Sequence, residues 1–181
     1  MVGKTVGFAA FGKIPRTFTD LAAGFDFDYL VYDPYLNKED VAAHPVEKVD
    51  FDTLLAESDV ISVHAPLVKE TWNMFDTGAF GCMKDSAIII NTARGPIIDE
   101  DALNDALRTD EIAGAGLDVM TDEPVHDSPL FDLDSVVLTP HVAWYSEGSL
   151  DELRRKAAEN VVHVLQGEEP HGVINESTLS S

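Results

Sequence analysis

The 181-residue sequence predicts an α/β fold, a doubly wound and mainly parallel sheet with helices on both faces. Three observations predict it. Short β-branched and aromatic runs alternate with amphipathic helical patterns from one end to the other. The first run opens directly into a strand-to-helix turn that contains a glycine. No internal repeat, low-complexity segment or linker interrupts the alternation, and the length suits one domain with a sizeable core.

Thr5 to Phe11 reads as a buried strand, followed by a helix that starts on Pro15 and stops at Gly24. Tyr29 to Tyr32, Val60 to Val63 and Ala87 to Ile90 are further strands. Asp99 can cap a helix running to about Thr109, with Ala102, Leu103, Ala106 and Leu107 as its inner face. Val136 to Leu138 is a last strand, and Leu150 to Leu165 a long closing helix. The domain is expected over residues 1–166, with a polar, loosely held tail at 167–181.

Hydrophobic residues make up 45% and charged residues 25%, which places the chain among ordinary globular proteins. It has no apolar run of membrane-spanning length and no signal-peptide core, so a cytoplasmic protein is expected. The lone Cys82 cannot form an intrachain disulfide, and its helix-like apolar surroundings suggest a buried structural thiol. The charge is unusual: 12 Lys and Arg against 33 Asp and Glu, a formal net charge of −21. The acids are scattered, as on a solvated surface, which disfavours nucleic acid and anionic membranes as partners. Adaptation to a salt-rich cytoplasm is the expectation, because salt screens the self-repulsion; a merely acidic surface is the alternative.

Ala10-Phe-Gly-Lys-Ile-Pro15 occupies the first turn and is a worn form of the Rossmann fingerprint G-x-G-x-x-G. Gly12 stands where a backbone must come close to a pyrophosphate. The amides of Lys13 and Ile14 would sit at the helix N-terminus, where the dipole favours an anion. Asp33 ends the second strand 21 positions after Gly12 (33 − 12), where a ribose-binding acid belongs. A carboxylate there binds ribose hydroxyls and repels a 2′-phosphate, which favours NAD over NADP. Asp33 could instead simply form the turn before Pro34.

Asn91-Thr-Ala-Arg-Gly95 follows a strand. Gly114-Ala-Gly-Leu-Asp-Val119 leads to Asp122-Glu-Pro124, and Leu138-Thr-Pro-His141 to Val-Ala-Trp-Tyr-Ser146. These three motifs, in this order, resemble the D-isomer-specific 2-hydroxyacid dehydrogenases over roughly Gly3 to Asn175. Within that family, Trp144-Tyr-Ser146 and Tyr32-Asp-Pro-Tyr35 are most similar to the branch of the C-terminal-binding-protein corepressors.

The resemblance implies a substrate-binding Arg94, a catalytic Glu123 and an acid/base His141. It also implies that Thr92, Ala93, Arg94, Asp118, His141 and Ala143 line the nicotinamide side, and Ala65, Pro66 and Thr71 the adenosine side. Trp144 would close over substrate or pack on the last helix. A planar guanidinium suits a 2-oxo acid, which presents a carboxylate beside a ketone. A histidine can exchange the ketone's proton, and a carboxylate on its other nitrogen fixes the tautomer. Read without the motifs, Arg94 is a surface arginine, Glu123 a loop acid and His141 a turn residue. His64 reads as structural, and His163 and His171 as surface residues. No metal is expected.

The resemblance further implies a homodimer through this domain and a substrate domain built mostly from sequence before the first strand. Met1-Val-Gly-Lys4 leads straight into that strand. The expectation is therefore a start codon placed too late, a shortened gene or a stand-alone module. Three functions stay open: an NAD-dependent oxidoreductase acting on a 2-hydroxy acid/2-oxo acid pair, an NAD(H)-sensing interaction module as in the corepressor branch, and an inactive remnant.

Overall fold

The computed structural model describes residues 3–173. The chain divides into two compact units, Met1–His141 and Val142–Ser181, and the domain expected over 1–166 spans that division.

In the first unit seven strands form one sheet in the order β3-β2-β1-β4-β5-β6-β7. The strands are β1 (Lys4–Ala9), β2 (Phe27–Tyr32), β3 (Glu47–Lys48), β4 (Val60–Val63), β5 (Ile88–Asn91), β6 (Gly114–Leu117) and β7 (Val136–Leu138). Every pairing is parallel. The helices between them are α1 (Lys13–Leu21), α2 (Lys38–Val41), α3 (Phe51–Glu57), α4 (Thr77–Cys82) and α5 (Glu100–Arg108).

Side-chain alternation along the strands sorts the sheet into two cores. Val6 and Phe8 of β1, with Tyr29 and Val31 of β2, face one side. There α1 covers them: Phe18 meets the rings of Phe8 at 5.7 Å and Tyr29 at 6.5 Å. Ala9, Leu30, Ile61, Val63 and Ile89 face the other side, beneath Leu54 of α3, Phe80 of α4 and Leu103 of α5. Helices therefore cover both faces. The chain turns outward in opposite directions from the adjacent strands β1 and β4, which opens a crevice at their carboxyl ends.

The local signals act as expected in several places. Asp99 caps α5, its side chain accepting the Ala102 N–H, and Ala102, Leu103, Ala106 and Leu107 are its buried residues. The acids lie on the surface: among the described residues only Asp33 and Asp118 are buried. The first helix starts at Lys13 with Gly12 as its N-cap, so Pro15 is its third residue. There its missing N–H removes no intrahelical bond.

Cys82 corrects an expectation: it is exposed. The helix α4 is short and turns Ala79 and Phe80 inward, with Met83 just beyond its end, which leaves Cys82 on the outer side.

The second unit contains α6 (Glu147–Gln166), capped by Ser146 and ended by Gly167 in the left-handed conformation. His163 and His171 were expected as surface residues; His171 is exposed and His163 partly buried. Their rings meet at 5.0 Å, and the Asn160 side chain holds the main chain of His171 through both its N–H and its carbonyl. Residues 174–181 of the expected tail lie outside the described residues. Among the described residues, no helix is long and apolar enough to cross a membrane, and no group of three or more His, Cys, Asp or Glu could hold a metal.

Candidate functional site

Two stretches of the crevice carry the residues singled out by sequence. The first is the turn after β1. Gly12 precedes α1, whose first amides, at Lys13 and Ile14, have no acceptor within the helix by position. A Cβ built on Gly12 would meet nothing within 4 Å, and its φ of −79° suits any residue. The fold itself does not demand glycine there; open space beside a helix N-terminus fits an approaching phosphate. Ala10, at the first glycine position of the fingerprint, has φ +75°. That left-handed conformation is what glycine accepts freely and alanine does not.

Asp33 lies buried at the end of β2. Its Oδ2 accepts the Phe11 N–H at 3.0 Å and its Oδ1 the Tyr35 N–H at 3.0 Å. It therefore holds the turn after β1 and the Pro34 turn together. Each carboxylate oxygen accepts more than one hydrogen bond, so capacity for a hydroxyl remains. Asp33, Ala65, Pro66 and Thr71 share one hollow of about 330 Å³, together with Tyr32 and Tyr35. Thr71 secures its rim by donating to the Pro66 carbonyl at 2.6 Å. The residues present thus fit the adenosine and pyrophosphate portions of a dinucleotide.

The second stretch joins the ends of β5, β6 and β7. Asn91 is almost wholly buried. Its Nδ2 donates to the Arg94 carbonyl at 2.9 Å and its Oδ1 accepts the Ala93 N–H at 3.0 Å. Its main-chain carbonyl accepts the Asp118 N–H at 2.9 Å. One amide side chain thus folds the loop carrying Thr92, Ala93 and Arg94 back against β6.

Gly95 permits the rest of the approach. A Cβ there would lie 2.0 Å from the Met120 carbonyl carbon and 2.4 Å from the Thr121 nitrogen, so no larger residue fits. Arg94 itself is exposed, with its Nη1 donating to the Ala93 carbonyl at 2.5 Å.

Beyond β6, the buried Asp118 accepts the Thr139 hydroxyl at 2.5 Å, and its carbonyl accepts the His141 N–H at 2.8 Å. Glu123 Oε1 accepts the Met120 N–H at 3.0 Å, and Oε2 lies 2.7 Å from His141 Nδ1. A carboxylate only accepts, so the bond requires a proton on Nδ1. The hydrogen bond from His141, assisted by the Met120 amide and the charge on the histidine, holds the Glu123 carboxyl below the usual glutamate range. Burial and the Asp118 charge oppose that shift without reversing it. His141 adopts a left-handed backbone, φ +54°. Asp118, Glu123 and His141 line a cleft of about 510 Å³ with apolar walls from Met120, Val125 and Phe131.

The structure therefore brings Glu123, His141 and Asp118 together, and places Arg94 on a loop pinned to the same strand end. Ala143 and Trp144 fall in the second unit; both are exposed, and Trp144 packs edge-on against Tyr145 at 5.7 Å. Sequence reasoning missed Asn91 and Thr139. Each stands inside a motif it had noticed, and a polar side chain at a strand end beside such a motif was the available signal. His64 is structural, as expected: it bonds Ser62 at 3.0 Å and packs on Phe8, and burial pushes its pKa down to about 4.

Comparison with known proteins accords with this geometry. The family described as D-isomer specific 2-hydroxyacid dehydrogenase, NAD binding domain, matches residues 1–143. A glyoxylate reductase of Thermococcus litoralis is 40% identical over 179 residues, 99% of this chain and 54% of the relative. A D-3-phosphoglycerate dehydrogenase of Archaeoglobus fulgidus is 40% identical over 174 residues, 96% of this chain and 33% of the relative. The crystal structure of a D-lactate dehydrogenase with NAD+ from Lactobacillus jensenii superimposes with a TM-score of 0.85 at 33% identity, covering 94% of this chain and 55% of that one. The chain thus spans about half the length of the reductase, and less of the phosphoglycerate enzyme.

Proposed function

Because the chain belongs to the D-isomer-specific 2-hydroxyacid dehydrogenases and matches their NAD-binding domain, we propose that it is the cofactor-binding and catalytic-residue portion of an oxidoreductase for a 2-hydroxy acid/2-oxo acid pair. The observation that carries this reading is the 2.7 Å bond between Glu123 and His141 Nδ1, set in a cleft at the strand ends.

When bound, NAD(H) supplies or accepts the hydride. In the reducing direction His141 gives its Nε2 proton to the ketone oxygen, and in the oxidising direction it takes that proton back. Glu123 accepts the proton on Nδ1 and so fixes the tautomer and orientation of the ring. Arg94 grips the substrate carboxylate with its planar fork, using donors beyond the one given to Ala93. Asp118, tied to Thr139, fixes the main chain of His141. Gly12, Lys13 and Ile14 receive the pyrophosphate, and Asp33 receives the adenosine ribose while repelling a 2′-phosphate. Thr92 and Ala93 complete the nicotinamide side.

The likeness to the corepressor branch rests on Trp144-Tyr-Ser146 and Tyr32 to Tyr35 alone, and it supports an NAD(H)-sensing module as the second reading. The reductase and dehydrogenase names of the relatives favour the first. Adaptation to salt belongs to the same reading, supported by the charge of −21; a cytoplasmic homodimer belongs to it through the family resemblance alone.

Calorimetric titration with NADH and NADPH tests the cofactor assignment. NADH should bind more tightly, and Asp33→Ala should narrow the gap. Equal affinities in the parent protein would remove Asp33 from the site.

A further inference from the structure

The turn after β1 carries Ala10 and Pro15 at two of the three glycine positions of the fingerprint. Its N-cap, Gly12, has no side chain with which to hold the start of α1. Ala10 is nevertheless kept in a left-handed conformation, φ +75°. Such strain persists only where the surrounding bonds over-determine it. One of those bonds is the acceptance of the Phe11 N–H by Asp33. A second comes from Arg16, the fourth residue of α1, whose Nε donates to the Phe11 carbonyl at 3.1 Å. Side chains thus hold both main-chain groups of Phe11.

Arg16 is itself held from behind. Its Nη1 donates to His44 Nε2 at 2.9 Å, and both Nη atoms reach the Asp40 carbonyl at 3.4 Å. A guanidinium only donates, so His44 Nε2 is the acceptor. The Arg16 Cζ lies 4.8 Å from the centroid of the Phe11 ring, and His44 meets that ring edge-on at 5.4 Å. The ring between them is almost wholly buried. The planar fork therefore spans from the turn to the corner between α2 and β3. An ammonium, a single point of charge, cannot serve both ends while lying flat on the ring.

We propose that Arg16 is a positioning residue for the dinucleotide, acting through the main chain of the turn. The proposal rests on the cofactor reading above. A trans peptide is planar, so its carbonyl and the following N–H point in opposite directions. Drawing the Phe11 carbonyl toward Arg16 turns the Gly12 N–H away from it. The Arg16 main-chain N–H donates to the Gly12 carbonyl at 3.4 Å, which sets the next peptide and with it the Lys13 N–H. With the peptides on both sides of Gly12 fixed, the first amides of α1 face the open space where a pyrophosphate would arrive. The arginine supplies the rigidity that the altered glycine positions and the uncapped helix start do not.

Calorimetric titration with NADH and, separately, with adenosine tests this, at a temperature where circular dichroism shows each variant folded. Adenosine suits the hollow beside Asp33 but carries no phosphate. Arg16→Met keeps an unbranched side chain over the Phe11 ring and loses every donor. Arg16→Lys keeps the charge and loses the fork. Both should weaken NADH binding by roughly tenfold or more and leave adenosine binding unchanged. An Arg16→Lys variant with the parent's NADH affinity overturns the proposal, because charge alone would then suffice. An equal loss for adenosine also overturns it, since Arg16 would then support the whole fold rather than the turn. A parent that binds NADH no better than both variants do overturns this proposal alone. A parent that binds no NADH overturns the cofactor reading as well.

Discussion

The two ends of the crevice are built on different principles. At the turn after β1, one carboxylate, Asp33, ties the segments together, Ala10 is held in a left-handed conformation, and Gly12 faces open space. At the ends of β5 to β7, Asn91, Asp118, Thr139 and Glu123 interlock through side-chain and main-chain bonds, and Gly95 is packed to contact. The first end leaves room for something to arrive. The second is already tied together by its own hydrogen bonds. A reacting group gains from being held in place beforehand, whereas a phosphate cradle needs only vacant space and oriented amides.

The largest effect should come from the preassembled end. In this chain joined to the substrate domain of a relative, His141→Ala should lower kcat for 2-oxo acid reduction by roughly a hundred- to ten-thousandfold. Unchanged NADH oxidation would remove His141 from the proton transfer.

The two glycines should then separate. Gly95→Ala drives a Cβ into the Met120–Thr121 main chain and should destabilise the fold by about 1–3 kcal/mol or more, read from chemical denaturation. Gly12→Ala meets nothing and should leave the same denaturation curve in place while weakening NADH binding. Equal stability losses for the two would erase the contrast.

The ends should also part in pH. The pKa of His64, which packs on Phe8 of the strand that leads into Ala10, is lowered from 6.5 to about 4 by burial. The unfolded chain takes up that proton first, so stability is full above about pH 6.5 and falls as pH drops toward 4. The loss is at most about 3 kcal/mol and smaller after allowing for the ring's partial exposure. Glu123 has a lowered pKa of the ordinary acid kind, so its contribution is present above the normal glutamate range and is lost only at lower pH. A His64→Gln variant should flatten the melting-temperature profile between pH 6.5 and 4 and leave the more acidic limb unchanged. A parallel shift of the whole profile would count against His64 as its source.

The smallest effect is relief of strain. Ala10→Gly should stabilise the fold by about 1 kcal/mol, since it removes a left-handed alanine at some cost in chain entropy. A destabilised variant would show that the φ of +75° carries no penalty here.

Elements whose residues advertise a period were legible in the sequence. The strands Val60–Val63 and Val136–Leu138 and the capped helix after Asp99 stand where the pattern puts them. Glu47–Lys48 was not legible, because two charged residues become a strand only by pairing with Leu30 and Val31. Nor was Gly114–Leu117 read as a strand. Its glycines suggest a turn, yet Gly114 is there because a side chain would collide with the Ser135 carbonyl. The site divides similarly. The motifs pointed to Arg94, Glu123 and His141, but the bond from Thr139 to Asp118 crosses 21 residues, and no local pattern encodes it.

The backbone of His141 has a practical consequence for probing the histidine. A residue at φ +54° is chosen for shape as well as chemistry. Among non-glycine residues, asparagine and histidine enter this region far more readily than branched ones. Substituting Val or Ile would move the loop and the functional group together, and the resulting defect could not be assigned to either. Asn keeps the chain trace while abolishing imidazole titration. Position 141 can therefore be interrogated with its conformation held constant, by comparing Asn, which preserves the bend, with Ala, which strains it.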